Sequence, residues 1–349
     1  MKLLRACLLL CLLLGHLSWA RATPIVLDDH PQGLQLNASG QLLWFSDDSG
    51  TLTPDEIMDP AHGDRFQPAP RMLRHGESAR PYWFKVQLEQ RSETGDWVLA
   101  TQTTALKDVR FYGPFDATGQ ALARPVQTGL SQPFATRPLG SERYLMRLQL
   151  PGPGTYTVYA RLVGETAPIL GLSVWDTAEY LQWRQHKRLF DGICYGTLIA
   201  LLVYNLVLAG IFRDATYGFY IGQCAFALLT LASFNGHAAH YLWGHWPWWQ
   251  ERGNVVLPGL WLIFGTLFAR SFLDTRRLPG LDRLLLALGL LAALAALLGL
   301  GGQFSAAQTL NEIVSSAGAL LAAVAAIIML RRGFKPAQWY LGGQALLFL

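Results

Sequence analysis

The chain has 349 residues, of which 15% are charged and 51% apolar, so an ordinary soluble protein, with about 25% charged residues, is excluded as a description of the whole. The net charge of +4 is small, and with no dense Lys/Arg patch outside the apolar half, nucleic acid is not an implied partner. The shortage of charge is uneven: from Leu284 to Leu330 the only charged side chain is Glu312, a composition that belongs in lipid.

At the N-terminus, Met1-Lys2 and Arg5, the apolar run Leu8 to Leu14 and the small-x-small site Ala20-Arg21-Ala22 read as a secretory signal peptide over 1–22. The run is too short to span a bilayer comfortably. Cys7 and Cys11 leave with this leader, while Cys194 and Cys224 fall in apolar stretches, so the exported part is expected to fold without disulfides.

Residues 23–175 have ordinary polarity and a two-residue period. Phe84, Val86 and Leu88 alternate with Lys85, Gln87 and Glu89, the pattern of a half-buried strand. Further strands are expected at Trp97 to Ala100, Val109 to Tyr112, Tyr144 to Leu150, Tyr156 to Leu162 and Ile169 to Trp175, separated by turns such as Gly113-Pro114 and Pro151-Gly152-Pro153-Gly154. Many short strands at this spacing predict an antiparallel β-sandwich.

Several motifs here have plain explanations. Asp47-Asp48-Ser49-Gly50 suggests a calcium loop, but aligning Gly50 with the loop's invariant glycine puts Phe45 at the first ligand position, which excludes an EF-hand. Thr53-Pro54-Asp55-Glu56 reads as a capping box opening a short helix. Asn37-Ala38-Ser39 fits a glycosylation acceptor, a pattern common by chance. Trp83, Trp97, Tyr112 and Tyr159 could stack on a sugar, although aromatics at strand spacing are more often core. If the domain binds a small molecule, strand alternation makes Arg110, Tyr112, Tyr159 and Arg161 the candidate ligand-binding residues.

Residues 176–189 contain neither Pro nor Gly and lead into the first apolar segment, so a juxtamembrane helix continuous with that span is expected. Spans follow at Phe190 to Phe212, Tyr217 to Phe234, Val255 to Phe272, Leu284 to Leu300 and Ala306 to Leu330. A sixth begins near Trp339 and is cut at Leu349, so the module over 190–349 reads as five spans and part of a sixth, C-terminally incomplete. With residue 23 outside, Arg213, then Arg276, Arg277 and Arg283, then Arg331, Arg332 and Lys335 lie inside, as the positive-inside rule requires. Arg184, Lys187 and Arg188 lie on the wrong side. Trp243, Trp246, Trp248 and Trp249 crowd one outer loop, where indoles suit the headgroup level. His237, His240 and His245 share that loop, but carboxylate or thiolate ligands are short there, so no metal is expected, nor any cofactor. Asn205 and Glu312 are the costly intramembrane polar residues. For Glu312, pairing with a loop histidine, lining a small-molecule pocket and a neutral hydrogen-bonded state all remain open.

Tyr195-Gly196, Tyr204-Asn205-Leu206, Arg213-Asp214, Tyr217 through Tyr220, Asn235-Gly236, Tyr241-Leu242-Trp243 and Phe268-Ala269-Arg270-Ser271-Phe272-Leu273 resemble, in order and spacing, the membrane module of bacterial seven-transmembrane receptors with diverse intracellular signalling modules. Ser46 through Leu52, Tyr82-Trp83-Phe84, Val109 through Tyr112 and Pro168-Ile169-Leu170 resemble that family's second type of extracellular domain. The resemblance implies a periplasmic jelly-roll-like sensor followed by an α-helical bundle in the bacterial inner membrane, and a cytoplasmic output module, commonly a histidine kinase or diguanylate cyclase. No motif of either enzyme is present, so any such activity would lie in a module outside this chain. The implied partners are a carbohydrate or other small-molecule ligand, the lipid bilayer and the output module; a homodimer is compatible. The alternative is a transporter or intramembrane enzyme with an accessory periplasmic carbohydrate-binding domain, but such proteins usually carry several mid-membrane ionisable residues.

Overall fold

A computed structural model describes residues 23–27, 33–59, 63, 65–71, 73, 80–93, 95–164 and 169–346. The expected leader, 1–22, lies outside the described residues. The chain folds as a β-sheet domain followed by apolar helices.

Two sheets form the first domain. The larger contains β3 (Leu43–Ser46), β4 (Gln67–Pro68), β5 (Tyr82–Gln90), β7 (Asp108–Phe115), β8 (Val126–Thr128) and β10 (Gly154–Val163), in the order β4-β3-β5-β10-β7-β8, with β1 (Ile25–Val26) added parallel to β5. The smaller has the order β2-β11-β6-β9, from Leu34–Gln35, Leu172–Asp176, Gly95–Thr101 and Leu145–Leu150. Alternation decides which side chains meet. Phe84, Val86 and Leu88 of β5 and Ala160 and Leu162 of β10 pack on Leu99, Met146, Leu148, Leu172 and Val174 of the other sheet. The apolar side chains between the sheets are the main hydrophobic core of the domain.

Both outer faces are also covered. On the larger sheet, Trp83 and Tyr159 lie under Ile57 of α2 (Pro54–Met58), with Phe45, Phe66 and Tyr112 around them. The capping box sets that helix: Glu56 N–H donates to Thr53 Oγ1 at 3.4 Å, and Thr53 N–H donates to Glu56 Oε2 at 2.8 Å. The preceding loop uses its own carboxylate, because Asp47 accepts from the N–H groups of Gly50 and Leu52 and from the Ser49 hydroxyl. Asn37, on the short α1 (Leu36–Ser39), is buried; its amide donates to the Leu170 carbonyl and accepts from Leu172 N–H. That side chain is a tie between segments rather than a glycan acceptor.

The outer face of the smaller sheet packs on a helix. Val98, Ala100 and Leu145 meet Tyr180 and Trp183 of α3 (Thr177–Phe212), whose 36 residues run from the domain into the first span without interruption. Asp176 caps it, accepting from the N–H groups of Ala178 and Glu179. There follow α4 (Ala215–Phe234), α5 (His237–Tyr241), α6 (Pro247–Phe272), α7 (Pro279–Leu300), α8 (Phe304–Arg331) and α9 (Ala337–Leu346). Helices α3, α4, α6, α7 and α8 are long and apolar enough to cross a membrane. Small residues let two of them approach closely: a Cβ on Gly259 of α6 would lie 3.1 Å from the Ala292 carbonyl of α7. On the inner side, Asp282 binds Arg270 through both carboxylate oxygens and accepts from Thr275, tying α6 to α7.

Candidate functional site

The first domain and the bundle meet at a charged joint built on one face of α3. Tyr180, Arg184, Arg188 and Asp191 follow at spacings of four, four and three, so they line up above one another. Tyr180 shares a 2.6 Å hydrogen bond with Ser141. The 3₁₀ turn Pro138–Gly140 brings Glu142, two residues on, over that face. Arg184 Nε donates to Glu142 Oε2 at 2.9 Å, and Arg188 donates to Oε1 through Nε at 2.9 Å and Nη2 at 2.6 Å. Arg184 also donates to the carbonyls of Leu139 and Gly140.

Burial alone would raise the Glu142 pKa; the hydrogen bonds from Arg184 and Arg188 outweigh it and hold the carboxyl at about 2. The Glu142 backbone is held as firmly. Arg137 Nη1 donates to its carbonyl at 2.8 Å, and the Arg137 guanidinium sits between the rings of Phe134 and Tyr144.

The second carboxylate, Asp191, receives Lys187 Nζ at 2.5 Å and lies 2.8 Å from His237 Nε2. The other ring nitrogen is 3.7 Å from Glu142 Oε1, so His237 stands between the two clusters. It is delivered by Gly236, whose φ is +81° and where a Cβ would lie 2.9 Å from the Glu142 carbonyl. Only glycine meets both demands.

His240 stacks on Phe134 at 4.4 Å. Burial lowers its pKa, Glu142 opposes this, and Arg188 and Arg184 add to it. Three more contacts close the joint: Phe134 N–H donates to the Gly244 carbonyl at 3.0 Å, Thr104 donates to the Phe234 carbonyl, and Lys107 pairs with Glu251 at 3.0 Å.

Arg110, Tyr112, Tyr159 and Arg161 stand side by side elsewhere, on the outer face of the larger sheet, with Arg161 opposite Arg110 and Tyr159 opposite Tyr112. Both guanidinium groups donate to Asp108 Oδ2 at 2.9 Å. Tyr112 stacks on Trp83, while Tyr159 contacts Phe66 and Phe115 beneath α2. Trp97 donates to Gln90 at 3.0 Å. Inside the bundle, Asn205 donates to the Leu201 carbonyl one turn back, and Glu312 accepts from Gln308 on an exposed face of α8. His245 is exposed. Among the described residues, no group of three His, Cys, Asp or Glu is placed to hold a metal.

Sequence reasoning missed Glu142, Asp191 and the use of His237. The available signal was the charged stripe at 184, 188 and 191 at the mouth of a span. The three cations Arg184, Lys187 and Arg188 are paired with Glu142 and Asp191, which removes their conflict with the loop charges.

Residues 187–349 match the family model described as 7TM diverse intracellular signalling, and residues 39–176 that described as 7TMR-DISM extracellular 2. No curated protein matches. Among solved structures, a beta-glucosidase from Kluyveromyces marxianus in complex with glucose is similar to 45% of the chain at 14% identity, with a TM-score of 0.21. The match covers 18% of that protein's length.

Proposed function

The chain belongs to the seven-transmembrane receptors with diverse intracellular signalling modules, and from that premise we propose that it carries a signal from a periplasmic ligand across a bacterial inner membrane to a cytoplasmic output module. As a multi-pass membrane protein with an extracellular N-terminal domain, it supplies the input half of such a pathway. The ligand is a carbohydrate or other small molecule, and the sandwich and bundle shift between two relative arrangements when it binds. A ligand can bias such an equilibrium only through its difference in affinity for the two states.

One observation carries this reading: α3 starts against the sandwich, is clamped to it by Arg184 and Arg188 on Glu142, and continues unbroken as the first span. A stiff helix so held transmits a displacement that a flexible tether would dissipate. The test is to insert four glycines after Gln185 in the receptor in its own cells. The output, phosphotransfer or cyclic dinucleotide synthesis, should stop following periplasmic stimulus while the protein still reaches the membrane. A full response from the insertion variant would refute the reading.

A further inference from the structure

Two cavities meet at the joint. The upper one, about 330 Å³, lies between Thr103 and Thr104 of the sandwich and the charged face of α3. The lower one, about 360 Å³, is a groove between α3, α4 and α5 walled by Ile199, Leu228 and Ala232. Arg188, Asp191 and His237 line both. The two cavities are therefore neighbours, one charged and one apolar, and each has the size of a small-ligand site.

The charges of the upper cavity do not balance. Four cations line it, Arg143, Arg184, Lys187 and Arg188, against the two carboxylates Glu142 and Asp191. Arg184 and Arg188 take Glu142, and Lys187 takes Asp191. Arg143 has no carboxylate partner among the described residues; its guanidinium lies 4.4 Å over the Trp183 ring. Burial lowers its pKa, the mark of a cation short of solvent and counter-charge. A neutral ligand would leave that charge uncompensated, whereas an anion would pair with it.

We propose that the joint binds an anionic amphiphile, its headgroup in the upper cavity at Arg143 and its apolar chain in the groove between α3 and α4. The groove lies at the outer end of the spans, where a chain enters sideways from the membrane. Gly192 lines it and has open space where its Cβ would be. The proposal deepens the receptor reading and rests on it for its consequence: a ligand seated here touches both bodies and biases their arrangement.

The test uses the purified chain in phosphatidylcholine nanodiscs, titrated calorimetrically with octyl phosphate, octanol and inorganic phosphate. Octyl phosphate should bind saturably, with the other two at least tenfold weaker. Arg143→Gln should weaken it about tenfold, the loss expected for one charge-assisted contact. Gly192→Leu, whose Cβ meets open space at the groove, should weaken it as much and decides the matter if the first variant does not fold. Unchanged affinity in the folded variants, equal binding of octanol, or no saturable binding overturns the site. Adding phosphatidylglycerol separates two sources of the same chemistry: competition identifies a membrane lipid as occupant, and its absence a free amphiphile. Failure here leaves the glycine-insertion test untouched, so the two readings fail separately.

Discussion

Replacing Glu142 by Gln should open the joint without unfolding either body. The Arg184–Glu142 pair is nearly buried, with side chains 11% and 10% exposed, and breaking a pair of that kind costs about 3 to 5 kcal/mol. Arg184 keeps its bonds to the Leu139 and Gly140 carbonyls, which brings the figure to the lower end or below. Arg188 is 37% exposed, and its pairing is worth under about 1 kcal/mol once screening is counted. A loss of roughly 2 to 4 kcal/mol corresponds to at least about a thirtyfold rise in the open population. The Phe134 amide reports it directly, since its acceptor is the Gly244 carbonyl across the joint. Hydrogen exchange at Phe134 should accelerate about thirtyfold or more in E142Q while the β10 amides stay protected. Phe134 exchange unchanged within threefold would refute this account of the joint, as would equal acceleration in β10.

Acid should act on the same contact. The Glu142 pKa is depressed in the docked state from 4.5 to about 2, so its contribution is complete above about pH 4.5 and is lost as pH falls toward 2; Phe134 exchange, corrected for intrinsic rate, should rise across that window. A fragment ending at residue 176 leaves Val98, Ala100 and Leu145 uncovered, whereas one ending at 186 restores Tyr180 and Trp183. Burying one such ring contributes about 2 kcal/mol, so the longer fragment should melt roughly 4 to 8 °C higher, and equal melting temperatures would contradict the packing. Asn37→Ala removes a buried side chain that ties α1 to the Leu170 and Leu172 backbone; it should cost about 1 to 3 kcal/mol in denaturant unfolding, and a neutral result would show that the tie is not needed.

The parts of the molecule legible in the sequence are those governed by local period. Phe84, Val86 and Leu88 declare a strand by alternation, and the runs ending at Phe212 and Phe234 declare spans by length. Thr53 and Glu56 declare a helix start because both partners of the box lie within one turn. The joint obeys no such rule. Glu142 meets Arg184 and Arg188 across 42 and 46 residues, and each is an unremarkable charge in its own segment. Read alone, the three cations at 184, 187 and 188 look like a violation of loop-charge asymmetry; only the fold supplies their counter-charges. Outer-face alternation does place Arg110, Tyr112, Tyr159 and Arg161 together, yet it says nothing of the Asp108 carboxylate between the guanidinium groups or of the α2 segment above the rings.

Helix α3 has a geometrical consequence as well as a mechanical one. Its 36 residues make about ten turns, or about 54 Å at 1.5 Å per residue. The first few turns are keyed to the sandwich and the rest to lipid and to α4. Each residue added or removed between Arg188 and the membrane turns everything below it by about 100° relative to everything above. The helix is thus a phase lock: the face it presents to its neighbours in the bilayer is set by the angle at which Glu142 grips it, and its length can change only in steps that bring that angle back round.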